Sequence, residues 1–261
     1  MTRIIAVTNQ KGGVGKTTTS VNLAASLGAT QRRVLLVDID PQGNATMGCG
    51  VDKNEAEPNC CDLLLGEAGA DAVVVPRPEL QLDLIPANAD LTAAEVQLME
   101  HERRERRLAE ALEPVRSRYD YILIDCPPSL NMLTLNALVA ADGVLIPMQC
   151  EYYALEGLSA LLETIANIRR SINPRLRIEG VLRTMFDPRS RLTKDVSEQL
   201  QEHFGDRLLR TCIPRNIRLA EAPSHGLPVI HYDKSSRGAL AYLALAGELV
   251  GRHQGERVHG S

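Results

Sequence analysis

Lys11, Gly12, Gly13, Val14, Gly15, Lys16, Thr17 and Thr18 follow closely on the apolar stretch Ile4 to Val7, and this junction restricts the fold more than any other segment. A strand that ends in a Gly-rich turn and opens into a helix aims several backbone N–H groups at one point, where the helix N-terminus adds partial positive charge. Such a turn binds an anion. Lys16 brings a full charge suited to the β- and γ-phosphates of a nucleotide, and the Thr17 hydroxyl is suited to Mg²⁺. The general phosphate-loop pattern puts Gly at position 10; this chain has Gln10 there and an additional lysine, Lys11, after it.

Short apolar runs rich in β-branched residues recur at Ile4 to Thr8, Val34 to Val37, Leu82 to Ile85, Tyr121 to Ile124, Val144 to Pro147 and Ile178 to Leu182. Continuous runs of this kind suit strands covered on both faces. Between them, Thr18 to Leu27, Arg103 to Leu112, Leu133 to Ala140 and Leu158 to Ile168 carry helical periodicity. Right-handed crossovers then predict an α/β fold: one doubly wound, mostly parallel sheet flanked by helices, with ligand groups at the carboxyl ends of the strands. Residues 48–80, with several Gly, Pro and acidic positions, read as an irregular excursion. The domain is expected to span 1–251, with 252–261 a polar, flexible tail.

The 261 residues are 44% hydrophobic, enough for a sizeable core, and the net charge of −4 marks neither a nucleic-acid binder nor a disordered acidic chain. The distribution is less even. Residues 1–159 hold 13 Lys and Arg against 22 Asp and Glu, whereas residues 160–240 hold 14 against 9. The six cysteines form no C-x-x-C pair and stand near no His at metal-ligand spacing, which fits reduced thiols in the cytosol. The N-terminus enters a strand without a leader pattern, and no apolar run approaches the roughly 18 residues of a membrane span. A cytoplasmic protein without membrane attachment is the expectation.

Two acidic strand ends complete the chemistry. After Val34 to Val37 come Asp38 and Asp40, where a carboxylate can orient an attacking water or hold a Mg²⁺-bound one; Asp40 is the candidate, and the alternative is that both acids merely cap the following turn. Tyr121 to Ile124 is four apolar residues followed by Asp125, and a buried strand end with a carboxylate calls for a partner such as hydrated Mg²⁺. Cys126, beside it, has no basic neighbour in the sequence to activate a thiol and reads as buried structure.

Five motifs in order, Lys11 to Thr18, Val34 to Thr46, Tyr121 to Ser129, Gln149 to Leu158 and Ile213 to Pro228, resemble the ParA/Soj family of partition ATPases, from about residue 3 to residue 250. The resemblance implies ATP with Mg²⁺ sandwiched between the two subunits of a homodimer. Lys11 matches the signature lysine that reaches the partner's nucleotide, and Gly12 matches a position of close approach between subunits. Asp40 matches the residue assigned to the hydrolytic water, and Asp125 the metal-side acid. Pro214 and Asn216 match positions lining the adenine site, although Asn216 would also cap a helix starting near Ile217.

The basic last third contains few aromatic residues, which argues against base stacking and leaves salt-sensitive phosphate contacts. The resemblance implies non-specific binding of double-stranded DNA by the ATP dimer. Arg189 and Arg218 align with the positions most often implicated, and Lys234 and Arg237 are further candidates. A ParB-type partner would stimulate hydrolysis, and the protein would be nucleoid-associated. Arg183, where relatives usually have an apolar residue, either extends the DNA surface or answers a local acid; the stretch Ala29 to Arg33 lacks the Gly common before the second strand. Two rivals share parts of this reading. A MinD-like membrane-associated regulator would need a C-terminal amphipathic helix, and a redox ATPase would need suitably placed cysteines.

Overall fold

A computed structural model describes residues 2–151 and 158–259. The strands are β1 (Arg3–Val7), β2 (Val34–Asp38), β3 (Val75–Arg77), β4 (Leu82–Ile85), β5 (Tyr121–Asp125), β6 (Gly143–Gln149), β7 (Arg177–Phe186) and β8 (Leu208–Pro214). The longer helices are α1 (Lys16–Ala29), α5 (Leu91–Leu98), α6 (Arg107–Arg116), α7 (Met132–Ala140), α8 (Leu158–Ser171), α9 (Arg191–Phe204) and α12 (Arg237–His259). Shorter ones are α2 (Asn44–Gly48), α3 (Cys60–Leu65), α4 (Ala70–Val73), α10 (Ile217–Glu221) and α11 (Val229–Tyr232). Together they form one eight-stranded sheet in the order β3-β4-β2-β5-β1-β6-β7-β8, in which only the β3–β4 pairing is antiparallel. This is the expected doubly wound architecture, and each of the six apolar runs forms a strand.

The strand period of two sorts the core into two layers. Ile4, Ala6, Leu35, Val37, Ile122 and Ile124 face one side, under α3, α5, α6, α7, α8 and α9. Ile5, Val7, Val34, Leu36, Tyr121 and Leu123 face the other, against α1 and α12. Each such Leu, Ile or Val contributes about 1.5–3 kcal/mol by leaving water. Because β1, β2, β5, β6, β7 and β8 run in one direction, their carboxyl ends collect on a single edge, with β1 at its centre.

Four local features differ from or add to the sequence reading. Residues 48–80 are a packed segment holding α3, α4 and β3, with Asn59 closing the start of α3 in a reciprocal cap with Asp62. In the turn before β2 the missing glycine is replaced by Gln31, which itself adopts a left-handed φ of 62°. The boundary expected at residue 251 falls inside α12, which runs on to His259. Its His253 is buried, with Nε2 2.6 Å from Glu179 Oε1 and Nδ1 2.9 Å from the Tyr121 hydroxyl, so a polar segment is tied to the starts of β5 and β7.

Among the described residues Arg183 pairs with no carboxylate and instead serves the sheet. The register between β7 and β8 shifts past Val181, and β8 bulges. There the Arg183 guanidinium donates to the carbonyls of Leu209 and Arg210 at 2.8 and 3.3 Å, while the Glu248 carboxylate of α12 accepts from the N–H groups of Arg210 and Thr211, both at 2.9 Å. Consecutive peptide groups that the ladder leaves over thus find side-chain partners. No helix of the described residues is long and apolar enough to cross a membrane.

Candidate nucleotide site

Between β1 and α1 the chain turns through Gly13 and Gly15 at φ of +74° and +86°, a backbone region that glycine enters without a Cβ penalty. Gly15 is the N-cap of α1, and among the described residues no side chain caps that helix, so its first-turn N–H groups point into the loop. Neighbouring strands hold the loop in shape: Thr184 Oγ1 donates to the Val14 carbonyl at 2.8 Å, and Asn9 Nδ2 to the Pro147 carbonyl at 2.8 Å. A Cβ on Gly12 would meet nothing within 4 Å. Crowding inside the chain therefore does not demand glycine at position 12; only a bound group or second molecule would.

Lys16 is buried and donates from Nζ to the Lys11 carbonyl at 3.2 Å; burial lowers its pKa, against the pull of Asp125 and Asp40. Asp125, at the end of β5, is fully buried. Its Oδ2 accepts from Thr17 Oγ1 at 2.8 Å and its Oδ1 from Ser20 Oγ at 2.7 Å. Burial raises its pKa, and the neighbouring Asp38 raises it further. A water-poor carboxylate beside a second acid and two hydroxyls is a site a hard cation satisfies, which is the donor chemistry of Mg²⁺. Among the described residues no group of three His, Cys, Asp or Glu side chains forms a metal cage, so such an ion would depend on few protein oxygens.

Asp38 and Asp40 both bond within their own loop, to different extents. Asp38 Oδ1 accepts from the Asp40 N–H, and Oδ2 from both the N–H and the hydroxyl of Thr46; burial raises its pKa. It organises the loop. Asp40 is also buried, and its Oδ1 accepts from the Gln42 N–H at 2.9 Å, a local turn bond that engages one carboxylate oxygen. Cys126 is fully buried with its thiol pKa raised well above normal by desolvation, the opposite of an activated nucleophile.

Lys11 points elsewhere than Lys16: its Nζ lies 2.6 Å from Glu151 Oε2 at the end of β6, and both side chains are about half exposed. Residues 152–157 of the run Gln149 to Leu158 lie outside the described residues. Pro214 ends β8 on the same sheet edge. Asn216 caps α10, its Oδ1 accepting from the Arg218 N–H at 3.0 Å, so the capping role is realised. Thr18 lies in the first turn of α1.

The basic candidates gather on this edge too. Arg189 follows β7, is 88% exposed and pairs with Asp187 at 3.0 Å. Arg218 pairs with Glu221 and Asp233 at 2.8 and 3.4 Å, which places it beside the segment carrying Lys234 and Arg237 at the head of α12. Sequence reasoning missed Ser20, Asn9 and Thr184. Ser20 was legible, since it stands three residues after Thr17 on the same helix face; Thr184 was not, because its contact joins residues 170 positions apart.

A family described as "AAA domain" matches residues 2–178. The Bacillus subtilis sporulation initiation inhibitor protein Soj is 55% identical over 96% of this chain and 99% of its own. The chromosome partitioning protein ParA of Myxococcus xanthus is 51% identical over 96% of this chain and 88% of its own. Among solved structures, a Mycobacterium smegmatis protein described as cobyrinic acid a,c-diamide synthase with bound ADP and magnesium superposes with a TM-score of 0.85 at 38% identity, over 97% of this chain and 96% of its own. The Pyrococcus furiosus cell division ATPase MinD superposes at 0.80 with 27% identity, over 96% and 99%.

Proposed function

Because the chain belongs to the ParA/Soj family of partitioning ATPases, we propose that it is an ATP-driven switch: ATP joins two copies, the pair holds double-stranded DNA without regard to sequence, and slow hydrolysis, stimulated by a ParB-type partner, resets it. The observation that carries the nucleotide half is the convergence of the uncapped α1 N-terminus, Lys16, Thr17 and Asp125 at one strand edge. The loop N–H groups and the Lys16 ammonium bind the β- and γ-phosphates. Thr17, Asp125 and Asp40 are the residues that would hold Mg²⁺, which when bound offsets the charge of those phosphates.

Asp40 keeps one carboxylate oxygen in its turn bond and orients the attacking water with the other. Lys11, whose ammonium is held among the described residues by an exposed ion pair with Glu151, exchanges that contact for the nucleotide of the second copy, since exposed pairs of this kind are worth at most about 1 kcal/mol. Loss of the γ-phosphate then weakens the bridge between copies. Pro214 and Asn216 flank the adenine. Arg189, Arg218, Lys234 and Arg237 meet the phosphates of DNA, consistent with the chromosome partitioning names of the relatives.

A MinD-like membrane regulator has weaker support: identity to MinD is 27% against 55% to Soj, and α12 commits Tyr242, Leu245 and Leu249 to the core. The deciding experiment is binding of duplex DNA by the purified protein with ATP, with ADP and without nucleotide, alongside vesicles of anionic lipid. DNA binding in ATP alone is the expected result. Vesicle binding with no DNA binding would overturn the proposal.

A further inference from the structure

Two sets of the basic residues within 160–240 lie at opposite edges of the sheet. One set, around Arg189 and Arg218, stands at the carboxyl edge of the sheet beside the nucleotide loops. The other borders a groove between α8 and α9 at the amino edge, where β7 begins; the groove encloses about 740 Å³. Its floor is apolar, built from Leu162, Ile165 and Phe204, and its rim carries Arg169, Arg170 and Arg207. Among the described residues no Asp or Glu lines it.

The two sets of arginines differ in how their charge is used. Arg189 holds Asp187, and Arg218 holds Glu221 and Asp233. Among the described residues Arg169, Arg170 and Arg207 pair with no carboxylate, and Arg170 donates only to the side chain of Asn167. All three are exposed. Guanidinium groups around an apolar trough favour a ligand that brings carboxylates and aliphatic side chains together. A duplex would use the rim and leave the floor wet, whereas a helix with an apolar ridge and acidic flanks uses both.

We infer that the α8–α9 groove is a docking site for an acidic amphipathic helix of a partner protein. Its aliphatic ridge lies on Leu162, Ile165 and Phe204, and its carboxylates take the rim arginines in forked pairs. Because the groove lies at the amino edge, its occupant leaves the phosphate loop and the carboxyl-edge arginines uncovered. Docking is compatible with bound nucleotide and does not depend on the DNA reading.

The test uses the full chain and a fluorescent synthetic helix of about 18 residues, with Leu at i, i+3, i+4 and i+7 and Glu on the flanks. Anisotropy should report saturable binding, equal with and without ATP. The double variant Arg169→Glu, Arg170→Glu should weaken it about tenfold or more, as charge reversal at paired arginines does. Ala166 is exposed within the groove, so Ala166→Trp should block it by filling space without disturbing the core. Unchanged circular dichroism and ATP turnover in both variants establish that the fold is intact.

A scrambled peptide of the same composition binding as tightly, or a charge-reversed protein binding the helix undiminished, would sink the idea. So would a variant that loses only duplex DNA binding, or only self-association, because the groove would then serve DNA or a second copy. Failure of the peptide alongside intact ATP-dependent DNA binding removes this inference and leaves the proposed function standing.

Discussion

Asp125, Asp38 and Asp40 are three buried acids within one site, and their hydrogen-bond partners separate their work. Asp38 receives three donors from its own loop, so it is spent on shape. Asp125 receives two hydroxyls, Thr17 and Ser20, that can turn toward a cation. The sequence already favoured Asp40 for the water but left capping open for both acids, because that choice rests on where Thr46 and Gln42 return. Lys16→Ala should reduce ATP affinity by about 100-fold or more, near the upper value of a lost charge-assisted hydrogen bond. Calorimetric titration measures this, and tight binding retained by the variant would contradict the phosphate role of Lys16. Asp40→Ala should slow ATP turnover by about 10²-fold while ATP still assembles the dimer, as light scattering would record. A variant that stays monomeric in ATP would instead assign Asp40 to assembly.

At the scale of elements, what was legible followed from period and from chemistry held in short runs. β1, β2 and β5 are unbroken apolar stretches ending at a Gly-rich turn or an acid, and all three were readable. β3 was not: it has three residues, one of them Pro76, and exists only because it pairs with β4. β8 was hidden because Arg210 and Thr211 break its alternation at the bulge. The end of α12 was misread as tail because its stabilising partners, Glu179 and Tyr121, lie 74 and 132 residues away from His253.

The pairing of Glu179 with His253 has a testable pH signature. Burial pushes the Glu179 carboxyl up, but the hydrogen bond from His253, with Arg177 and Arg3, more than offsets it, so Glu179 titrates below its usual range. A lowered carboxyl contributes stability above its unfolded pKa of about 4.3, and that contribution is lost as pH falls through the folded value. Urea midpoints should therefore decline below about pH 4 in the natural protein and decline less steeply in Glu179→Gln. His253→Ala should cost about 1–3 kcal/mol near neutral pH, the range for stranding a buried hydrogen-bonding partner. Equal midpoints for His253→Ala and the natural protein would show that the end of α12 is packed by other means.

For the whole molecule, parallel strands put the phosphate loop, Asp40, Asp125 and the carboxyl-edge arginines on one side, so a change at the nucleotide is a change beside the DNA candidates. Arg189→Glu or Arg218→Glu should weaken duplex binding while ATP-dependent dimerisation persists. Each should also flatten the dependence of affinity on salt by about one unit of log–log slope for every DNA phosphate that goes unneutralised, since neutralising a phosphate releases counterions. A slope unchanged across the titration would exclude phosphate binding by that residue. The two margins of the sheet matter at this scale as well. β3 ends one margin with a proline, and at the other the bulge of β8 turns successive N–H groups onto Glu248 and carbonyls onto Arg183. An incoming strand at the β3 margin meets a residue with no N–H to donate. Two copies of the chain are then hindered from pairing sheet to sheet through that margin, and any contact between neighbours there stays exchangeable instead of setting into a fibre.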